Sequence, residues 1–225
     1  MATTTQPFRL RPGTWADLPR AATLYSLAYD HDMLMDLLFP DRAKYPEEFP
    51  VAICRLLEVR YWTLGWRFTV AVDENDVPQG FTWWNRGKSF ESFWKRWLSP
   101  TWWFAPMVRL YFKTRNLIFP LRLRINHFFA QVVGKETDKF LNTPRRRAAH
   151  YFSLVGVNPK FQGSGLGSML IRDGLRDVDA AGAAAYLVRL KGLKEFYERF
   201  GFKEDGTVAV GDLEKWDGGQ IMFRE

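Results

Sequence analysis

Residues 157–167 read VNPKFQGSGLG, with glycines at positions 163, 165 and 167. An apolar run, YFSLVGV, leads into this stretch, and the following run, SMLIRDGLRDVDAA, has apolar residues at helical spacing. Glycine is favoured where the backbone turns with positive φ or passes close to another group. The stretch therefore predicts a strand, a glycine loop and a helix N-terminus, an arrangement whose free N–H groups bind an anion.

Two common phosphate-binding motifs do not fit this loop. The dinucleotide pattern GxGxxG needs a glycine where the chain has Ser168, and an acidic residue about 20 positions later, where residues 186–188 are Tyr-Leu-Val. The nucleotide P-loop needs Gly-Lys-Ser/Thr at its end, and Gly167 is followed by serine rather than lysine. What remains is the pattern Gln-x-x-Gly-x-Gly over residues 162–167.

The composition and element order predict one folded domain of the α+β class. Of the 225 residues, 47% are hydrophobic and 16% aromatic, values that exclude a disordered protein. The opening sequence FRLRPGTWADLPRAATLYSLAYD predicts a short strand and a helix, and RFTVAV and GFTWW predict a hairpin around DENDVPQ. From residue 150 onward we predict a strand, the glycine loop, a helix, a strand, a short helix and two final strands. This order is typical of a mixed sheet with helices on its faces.

Nothing in the sequence predicts secretion, a membrane span or a metal site. No apolar run typical of a signal peptide opens the chain, and the aromatic stretch 97–108 contains two prolines and is shorter than the roughly 20 residues that a bilayer requires. Cys54 is the only cysteine, so no internal disulfide forms, and no Cys/His spacing typical of metal ligands occurs. We therefore expect a cytoplasmic protein with no metal.

The positive charge is concentrated in one segment that is rich in tryptophan. Residues 86–147 contain 14 Lys and Arg and three acidic residues, a net charge of +11 in a chain whose total is +7. Six of the ten tryptophans lie within residues 83–103. We predict that residues 85–149 are mostly helical, with helix boundaries at three prolines: Pro100, Pro106 and Pro120.

Four uses of this segment are consistent with its composition. Its side chains could line a pocket for a bulky apolar or aromatic molecule, make peripheral contact with an anionic membrane surface, bind nucleic acid or only pack into the core. Nucleic acid is disfavoured, because the clusters WW, TWWF and FF are typical of buried side chains rather than of stacking platforms. The positive charge also disfavours lysine-rich protein tails, so we prefer a small-molecule partner.

The Gln-x-x-Gly-x-Gly loop after VNP resembles the acyl-CoA pyrophosphate loop of the GNAT superfamily of acyl-CoA-dependent N-acyltransferases. The segment LKEFYERFGF at 193–202 is similar to that family's short helix and next strand, and FRLRPGTWADLP and VAVDENDVPQGF are similar to its opening elements. The resemblance implies a mostly antiparallel mixed sheet whose central parallel strands splay apart, with helices on both faces. It implies a single domain over residues 1–225, with residues 85–149 inserted between the third and fourth strands.

The resemblance also implies a co-substrate, acetyl-CoA, and the residues that bind it. The backbone N–H groups of the loop and helix start would bind its pyrophosphate: Gln162, Gly163, Ser164, Gly165, Gly167 and Ser168. Its pantetheine arm would pair with the backbone of Val155 and Val157, in the gap between the two parallel strands. Lys160 and Arg172 are further candidates for contacts with the CoA phosphates.

Tyr197, within FYERFGF, matches the tyrosine that often protonates the departing thiolate in this family. A free thiol has a pKa of about 8.5, so the departing thiolate benefits from an acid near neutral pH. The N–H of Val155 is the expected donor to the oxyanion. No glutamate lies on the strand at 150–157, so the base is left open between water and an acceptor-side residue. The acceptor-side candidates are three neighbours: Asp30, His31 and Asp32.

Two functions follow from these predictions. The first is an acetyl-CoA-dependent N-acetyltransferase for the amine of a small, hydrophobic or aromatic acceptor. The second is a non-catalytic protein of the same fold that binds acyl-CoA or associates with a membrane surface, favoured by the glutamate-free strand and the basic aromatic segment. Transfer to a hydroxyl group or of a longer acyl chain stays open, and the oligomeric state is not predicted.

Overall fold

A computed structural model describes residues 8–86 and 100–225 of the chain. Its described strands are β1 (Arg9–Pro12), β2 (Trp66–Val72), β3 (Pro78–Asn85), β4 (His150–Val157), β5 (Ala185–Arg189), β6 (Lys203–Thr207) and β7 (Gln220–Arg224). They form one mixed sheet in the order β1-β2-β3-β4-β5-β7-β6, in which only β4 and β5 are parallel neighbours. The predicted α+β class and the β2–β3 hairpin are confirmed.

Helices connect these strands and cover the sheet. The described helices are α1 (Leu18–Ala28), α2 (Met33–Leu38), α3 (Phe49–Tyr61), α4 (Pro100–Ile118), α5 (His127–Phe140), α6 (Pro144–Arg147), α7 (Leu166–Ala180) and α8 (Lys194–Glu198). Short 3₁₀ turns lie directly before α1 and α3 and after β4. Within the described ranges, no helix is both long and apolar enough to cross a membrane.

Alternate side chains of the central strands pack on opposite faces of the sheet, as the two-residue period of a strand requires. Phe68 and Val70 of β2 belong to one buried cluster with side chains of α1 and α3. Ala71, between Val70 and the strand end, packs instead with Leu166 and Leu170 of α7. Helices therefore lie on both faces, as the resemblance implied.

The two parallel strands are joined only at their beginning. β4 and β5 share two register pairs, His150–Ala185 and Tyr151–Tyr186. On the other edge of β4, the register with β3 skips Ser153, which is the extra residue of a β-bulge. A bulge bends its strand and increases the local twist, so it helps to direct the second half of β4 away from β5. The resulting gap confirms the predicted splaying of the central parallel strands.

The segment at 85–149 is largely helical in its described part, and two of its three predicted boundaries are correct. α4 begins at Pro100 and ends two residues before Pro120. Pro106 was wrongly predicted as a boundary, because it lies inside α4. A proline removes one helical hydrogen bond, and the turns after Pro106 are held by contacts such as the ion pair between Arg115 and Glu58 of α3.

The tryptophans of the aromatic segment do not form a single group. Trp83 and Trp84 belong to β3 and are buried on opposite faces of the sheet, where they pack with different clusters. Trp94 and Trp97 lie outside the described residues. The assignment of residues 85–149 as an insertion stays a prediction.

Candidate active site

A cavity of about 920 Å³ runs from the glycine loop through the gap beside β4 to a chamber under α1, α2 and α3. Its volume is within the range of small-molecule sites, about 300 to 1,000 Å³. The loop, the strand gap and the chamber line one continuous space rather than separate pockets. Apolar and tyrosine side chains form most of the chamber wall, including Tyr25, Tyr29, Leu34, Met35, Leu38, Ile53 and Leu57.

The glycine loop leaves the N-terminus of α7 open. Gly165 is the N-cap of this helix and has φ +87°, and Gly163 has φ +80°. A Cβ atom on either glycine would meet no protein atom within 4 Å. Because an N-cap glycine has no side-chain oxygen, it leaves the N–H groups of the first turn, including those of Gly167 and Ser168, available to an anion.

Two of the predicted loop donors already have partners within the loop. The N–H of Gln162 donates to the Pro159 carbonyl and the N–H of Ser164 to the Phe161 carbonyl, both at 3.3 Å. The Ser164 hydroxyl also donates to Phe161, at 2.6 Å, and Ser164 does not line the cavity. The other loop residues proposed from the sequence do line it: Gln162, Gly163, Gly165, Gly167 and Ser168.

The structure places neither proposed phosphate-binding cation in the cavity wall. Lys160 is exposed in the 3₁₀ turn before the loop. The Arg172 guanidinium lies over the ring of Phe200, 5.8 Å from its centroid. Both side chains therefore lie outside the space that the loop and the strand gap enclose.

The backbone of β4 directs two predicted residues into the strand gap. The N–H of Asn158, the residue directly after β4, donates to the Gln79 carbonyl of β3 at 2.8 Å. Because successive residues of a strand direct their backbone groups to alternate edges, those of Val157 and Val155 point away from β3 and toward the gap. Both residues line the cavity. The Val155 carbonyl accepts a hydrogen bond from the Tyr29 hydroxyl at 2.8 Å.

Tyr197 lies in α8 at the point where the strand gap meets the chamber wall. It is only 6% exposed, lines the cavity and is packed edge-to-face against Phe152 and Phe202, with ring centroids 6.0 and 6.3 Å away. Burial raises the pKa of Tyr197 well above its usual value. The hydroxyl therefore stays protonated at neutral pH, the state that a general acid needs.

The candidate base cluster does not reach the cavity. The His31 side chain is 98% exposed, and Asp30 lies beside Arg42, with Oδ1 3.4 Å from Nη1. Asp32 accepts a hydrogen bond from the N–H of Leu34 at 2.8 Å, so it caps α2. Among the described residues, no Asp, Glu, His or Lys lines the cavity, and its cations are Arg60 and Arg199.

Several cavity residues had no signal in the sequence. Tyr29 and Arg60 are spaced as ordinary helix residues, and they meet β4 only through the packing of α1 and α3 on the sheet. Ile125 and Val133 also line the cavity, so the basic segment reaches the chamber. The prediction that side chains of this segment could line a pocket was the only indication, and it named neither residue.

Comparison with known protein families finds a match over part of the chain. Residues 125–204 match the family model described as an acetyltransferase (GNAT) domain. The matched region, a little over a third of the chain, contains β4, the glycine loop, α7, β5 and α8, and its first residue lies within the predicted insertion. A comparison with curated protein sequences finds no match.

Solved structures share the fold over nearly the whole chain. A histone acetyltransferase HPA2-related acetyltransferase from Corynebacterium glutamicum has a TM-score of 0.60 at 18% identity, covering 96% of this chain and 95% of that one. A protein assigned to the GNAT family from Desulfovibrio desulfuricans has a TM-score of 0.55 at 14% identity, with coverages of 97% and 99%. The PaiA N-acetyltransferase from Thermoplasma acidophilum, in complex with coenzyme A, has a TM-score of 0.50 at 11% identity, with coverages of 97% and 99%. The GNAT-like fold and the resemblance to GNAT acetyltransferases are confirmed.

Proposed function

We propose that this protein is a cytoplasmic acetyl-CoA-dependent N-acetyltransferase that transfers the acetyl group directly to the amine of a small, hydrophobic or aromatic acceptor. The observation that carries the proposal is the single cavity that joins an open helix N-terminus to an apolar chamber. The GNAT domain match over residues 125–204 and a neighbour of the same fold with bound coenzyme A support acetyl-CoA as the co-substrate.

The residues of the loop and the gap fit the CoA part of this co-substrate. A diphosphate needs converging N–H donors and free space, and the first turn of α7 offers both beside Gly163 and Gly165. A pantetheine arm carries amides that pair with an open strand edge, and Val155 and Val157 present such an edge. Acetyl-CoA would supply the thioester whose carbonyl the acceptor amine attacks.

Two groups of the chain, and the orientation of the amine in the chamber, would contribute to the reaction. The N–H of Val155 would donate to the oxyanion that develops on the thioester carbonyl. Tyr197 would protonate the departing thiolate, since its raised pKa keeps the proton available. Holding the amine against the thioester in the chamber would supply the remaining reduction of the activation barrier, because oriented binding alone can lower a barrier by roughly 7 to 11 kcal/mol.

The electrostatics of the cavity favour an acceptor that reacts as the neutral amine. The described lining residues include two arginines and no carboxylate or histidine that would take up the amine proton. A cationic amine with no negative group would be repelled by these arginines and would enter an apolar chamber at a desolvation cost. The proton would therefore leave through water, either before binding or during attack.

Thiol release and product mass test the proposal together. The protein is incubated with isotopically labelled acetyl-CoA and a panel of small aromatic and aliphatic amines, and free thiol and labelled acetylated product are measured. We expect thiol release that depends on the amine and a product heavier by one labelled acetyl group. Absence of acetyl-CoA binding by titration calorimetry would remove the proposal. Binding without any product would favour the non-catalytic alternative.

One surface feature supports a second candidate function, contact with a membrane surface. One face of α4 carries apolar side chains that are 55 to 80% exposed: Phe104, Met107, Leu110, Tyr111, Leu117 and Ile118. The other face is fixed on the domain, since Phe112 is buried and Asn116 accepts a hydrogen bond from Arg55. Exposed Arg109 and Lys113 lie next to the apolar face in the helix. A helix with these two faces matches the chemistry of an anionic lipid surface.

Vesicle sedimentation tests this second candidate. We expect sedimentation with vesicles that contain phosphatidylserine, and less with phosphatidylcholine alone or at high salt, because attraction between exposed charges is screened. The double variant Leu117→Ser/Ile118→Ser should lose most of this binding. Leu27→Ser, on exposed Leu27 of α1, is the matched control and should retain it. No sedimentation, or a concentration-dependent dimer in its place, would contradict membrane contact.

A further inference from the structure

Arg60 is a partly buried cation in the wall of the chamber. It lies in the last turn of α3 and lines the cavity. Its Nη1 atom donates to the Ser153 hydroxyl at 3.2 Å, and its guanidinium carbon lies 4.2 Å from the centroid of the Trp66 ring. Among the described residues, no carboxylate lies within ion-pair distance of it. A hydroxyl and an aromatic ring are thus its main partners.

Other arginines with little exposed surface have carboxylate partners. Arg11 pairs with Asp17 at 2.7 Å, and on the same helix as Arg60, Glu58 pairs with Arg115. The side chains of Arg11 and Arg115 are each 19% exposed. A buried charge without an opposite charge is costly, and proteins retain it where it has a use. Arg60 departs from the rule that the other two follow.

The ionisation of these arginines reflects the same contrast. The hydrogen bond that Arg115 donates to the Glu58 carboxylate raises the pKa of Arg115, whereas burial lowers the pKa of Arg60. The remaining ionisable groups near Arg60 are tyrosine hydroxyls, among them those of Tyr25 and Tyr151. Burial raises the pKa of the Tyr25 and Tyr29 hydroxyls, so neither offsets the positive charge of Arg60, and Arg199, the other cation of the cavity wall, is exposed.

We infer that the acceptor carries an anionic group, of which a carboxylate is the simplest, and that Arg60 binds this group while the apolar body of the acceptor fills the chamber. A guanidinium has five N–H donors in a planar fork, and Ser153 accepts from one of them, so a carboxylate can still be bound in bidentate fashion. Arg60 is then a specificity-determining residue. The inference rests on the proposed function, since it names the class of acceptor for that cavity.

The geometry limits the distance between the anionic group and the reacting amine. Ser153, which holds Arg60, precedes Val155 by two residues on β4, about 7 Å at the rise of an extended strand. Val155 lies where the thioester carbonyl would be bound under the proposed function. The acceptor is therefore a compact molecule with an amine and an anionic group on one apolar body, as in an aromatic or aliphatic amino acid. This anionic group also offsets the repulsion of an amine by Arg60.

Matched acceptor pairs test the inference without any variant. Thiol release from acetyl-CoA is measured with 4-aminobenzoate against 4-aminobenzamide and with phenylalanine against phenylalaninamide. Each pair keeps the body and the amine and replaces the carboxylate with a neutral amide. We expect kcat/KM to be about 10-fold or more higher for the carboxylate in at least one pair, mostly through a lower KM. Equal values in every pair that is turned over would overturn the inference and leave the proposed function standing.

Variants then assign the preference to one residue. Arg60→Gln should abolish the preference by raising KM for the carboxylate, with little change for the amide, and Arg60→Lys should keep part of it. Arg55→Gln is the matched control on the same helix, since Arg55 bonds to Asn116 and does not line this cavity. The control should keep the full preference. A preference that survives in folded Arg60→Gln would overturn the assignment.

A non-reacting anion separates this inference from the proposed function. Binding of 3-phenylpropanoate, which has a carboxylate and a phenyl ring but no amine, is followed by calorimetry with and without CoA. We expect binding to the wild-type protein and to Arg55→Gln, and loss of binding in Arg60→Gln. This result without turnover of any amine would support the anion site and count against the transferase. No binding, together with no carboxylate preference, would count against the anion site.

Discussion

The two ends of the cavity are built in different ways. At the glycine-loop end, one stretch of 12 residues, 157–168, supplies a strand end, a turn and a helix start, and under the proposed function its backbone would bind the co-substrate. At the chamber end, Tyr29 contacts Val155 across 126 positions of sequence and Arg60 contacts Ser153 across 93. A site formed by the backbone of one contiguous stretch has a recognisable sequence motif. A site formed by side chains that are distant in the sequence has none. Variants that separate the two ends test this contrast.

The largest effect is expected where the two ends meet, at Tyr197. Tyr197→Phe should lower kcat by about 10² to 10⁴-fold, the usual contribution of a general acid, with little change in CoA affinity. Because burial raises the pKa of Tyr197, wild-type turnover should show no falling limb from this group below about pH 10. Steady-state kinetics across pH measure kcat and its pH dependence, and calorimetry with CoA measures the affinity. Tyr186→Phe, on a tyrosine outside the cavity, is the control.

A variant of the loop end should act on the co-substrate alone. Gly165→Val adds a side chain to the open space at the helix start and strains a residue with φ +87°, which costs about 1 to 3 kcal/mol. We expect acetyl-CoA affinity by calorimetry to fall by about 10 to 100-fold, with the fold retained.

Gly182→Val controls for the strain. Gly182 follows α7, has φ +56° and also has open space at its Cβ position, but it does not line the cavity. Gly182→Val should lower the unfolding temperature to an extent similar to Gly165→Val and leave acetyl-CoA affinity unchanged. An equal loss of affinity in both variants would show that the glycine loop has no special role.

The smallest effect is expected at the contact that connects the chamber to β4. Tyr29→Phe removes the 2.8 Å hydrogen bond to the Val155 carbonyl and should lower the free energy of unfolding by about 1 kcal/mol. Turnover should fall by about 3 to 10-fold, because α1 then holds the end of β4 less firmly. The Tyr25 hydroxyl donates to the Met35 sulfur at 3.3 Å, a weaker acceptor, so Tyr25→Phe should lower the free energy of unfolding in urea by less. A larger loss in Tyr25→Phe would contradict this role of Tyr29.

The sequence allowed prediction of the elements whose signals are local. Alternation and turn residues indicated β2, β3 and the hairpin, and helical spacing together with the glycines indicated β4, the loop and α7. Pro106 shows the limit of such signals: proline usually marks a helix end, but contacts along α4 outweigh one lost hydrogen bond. The bulge at Ser153 has no residue signature and follows from strand pairing.

The site was predictable to a similar degree. Position in the motif placed the loop residues and Tyr197 in the cavity wall, but it did not show that Ser164 turns back onto the Phe161 carbonyl. Asp30 and His31 were attractive as acids and bases by residue type, yet the end of α1 leaves both in solvent. Arg60 was missed because an arginine near a helix C-terminus is ordinary in a sequence, and only the packing of α3 makes it unusual.

The two shared register pairs of β4 and β5 divide the sheet into blocks of four and three strands with a narrow connection between them. A molecule lying along that opening would connect the two blocks, because it would be hydrogen-bonded to one block through β4 and enclosed by the other. Its arrival should slow hydrogen exchange on both flanks and raise the temperature at which the blocks separate. In this architecture the bound co-substrate would also take the place of the strand pairing that β4 and β5 lack beyond their two register pairs.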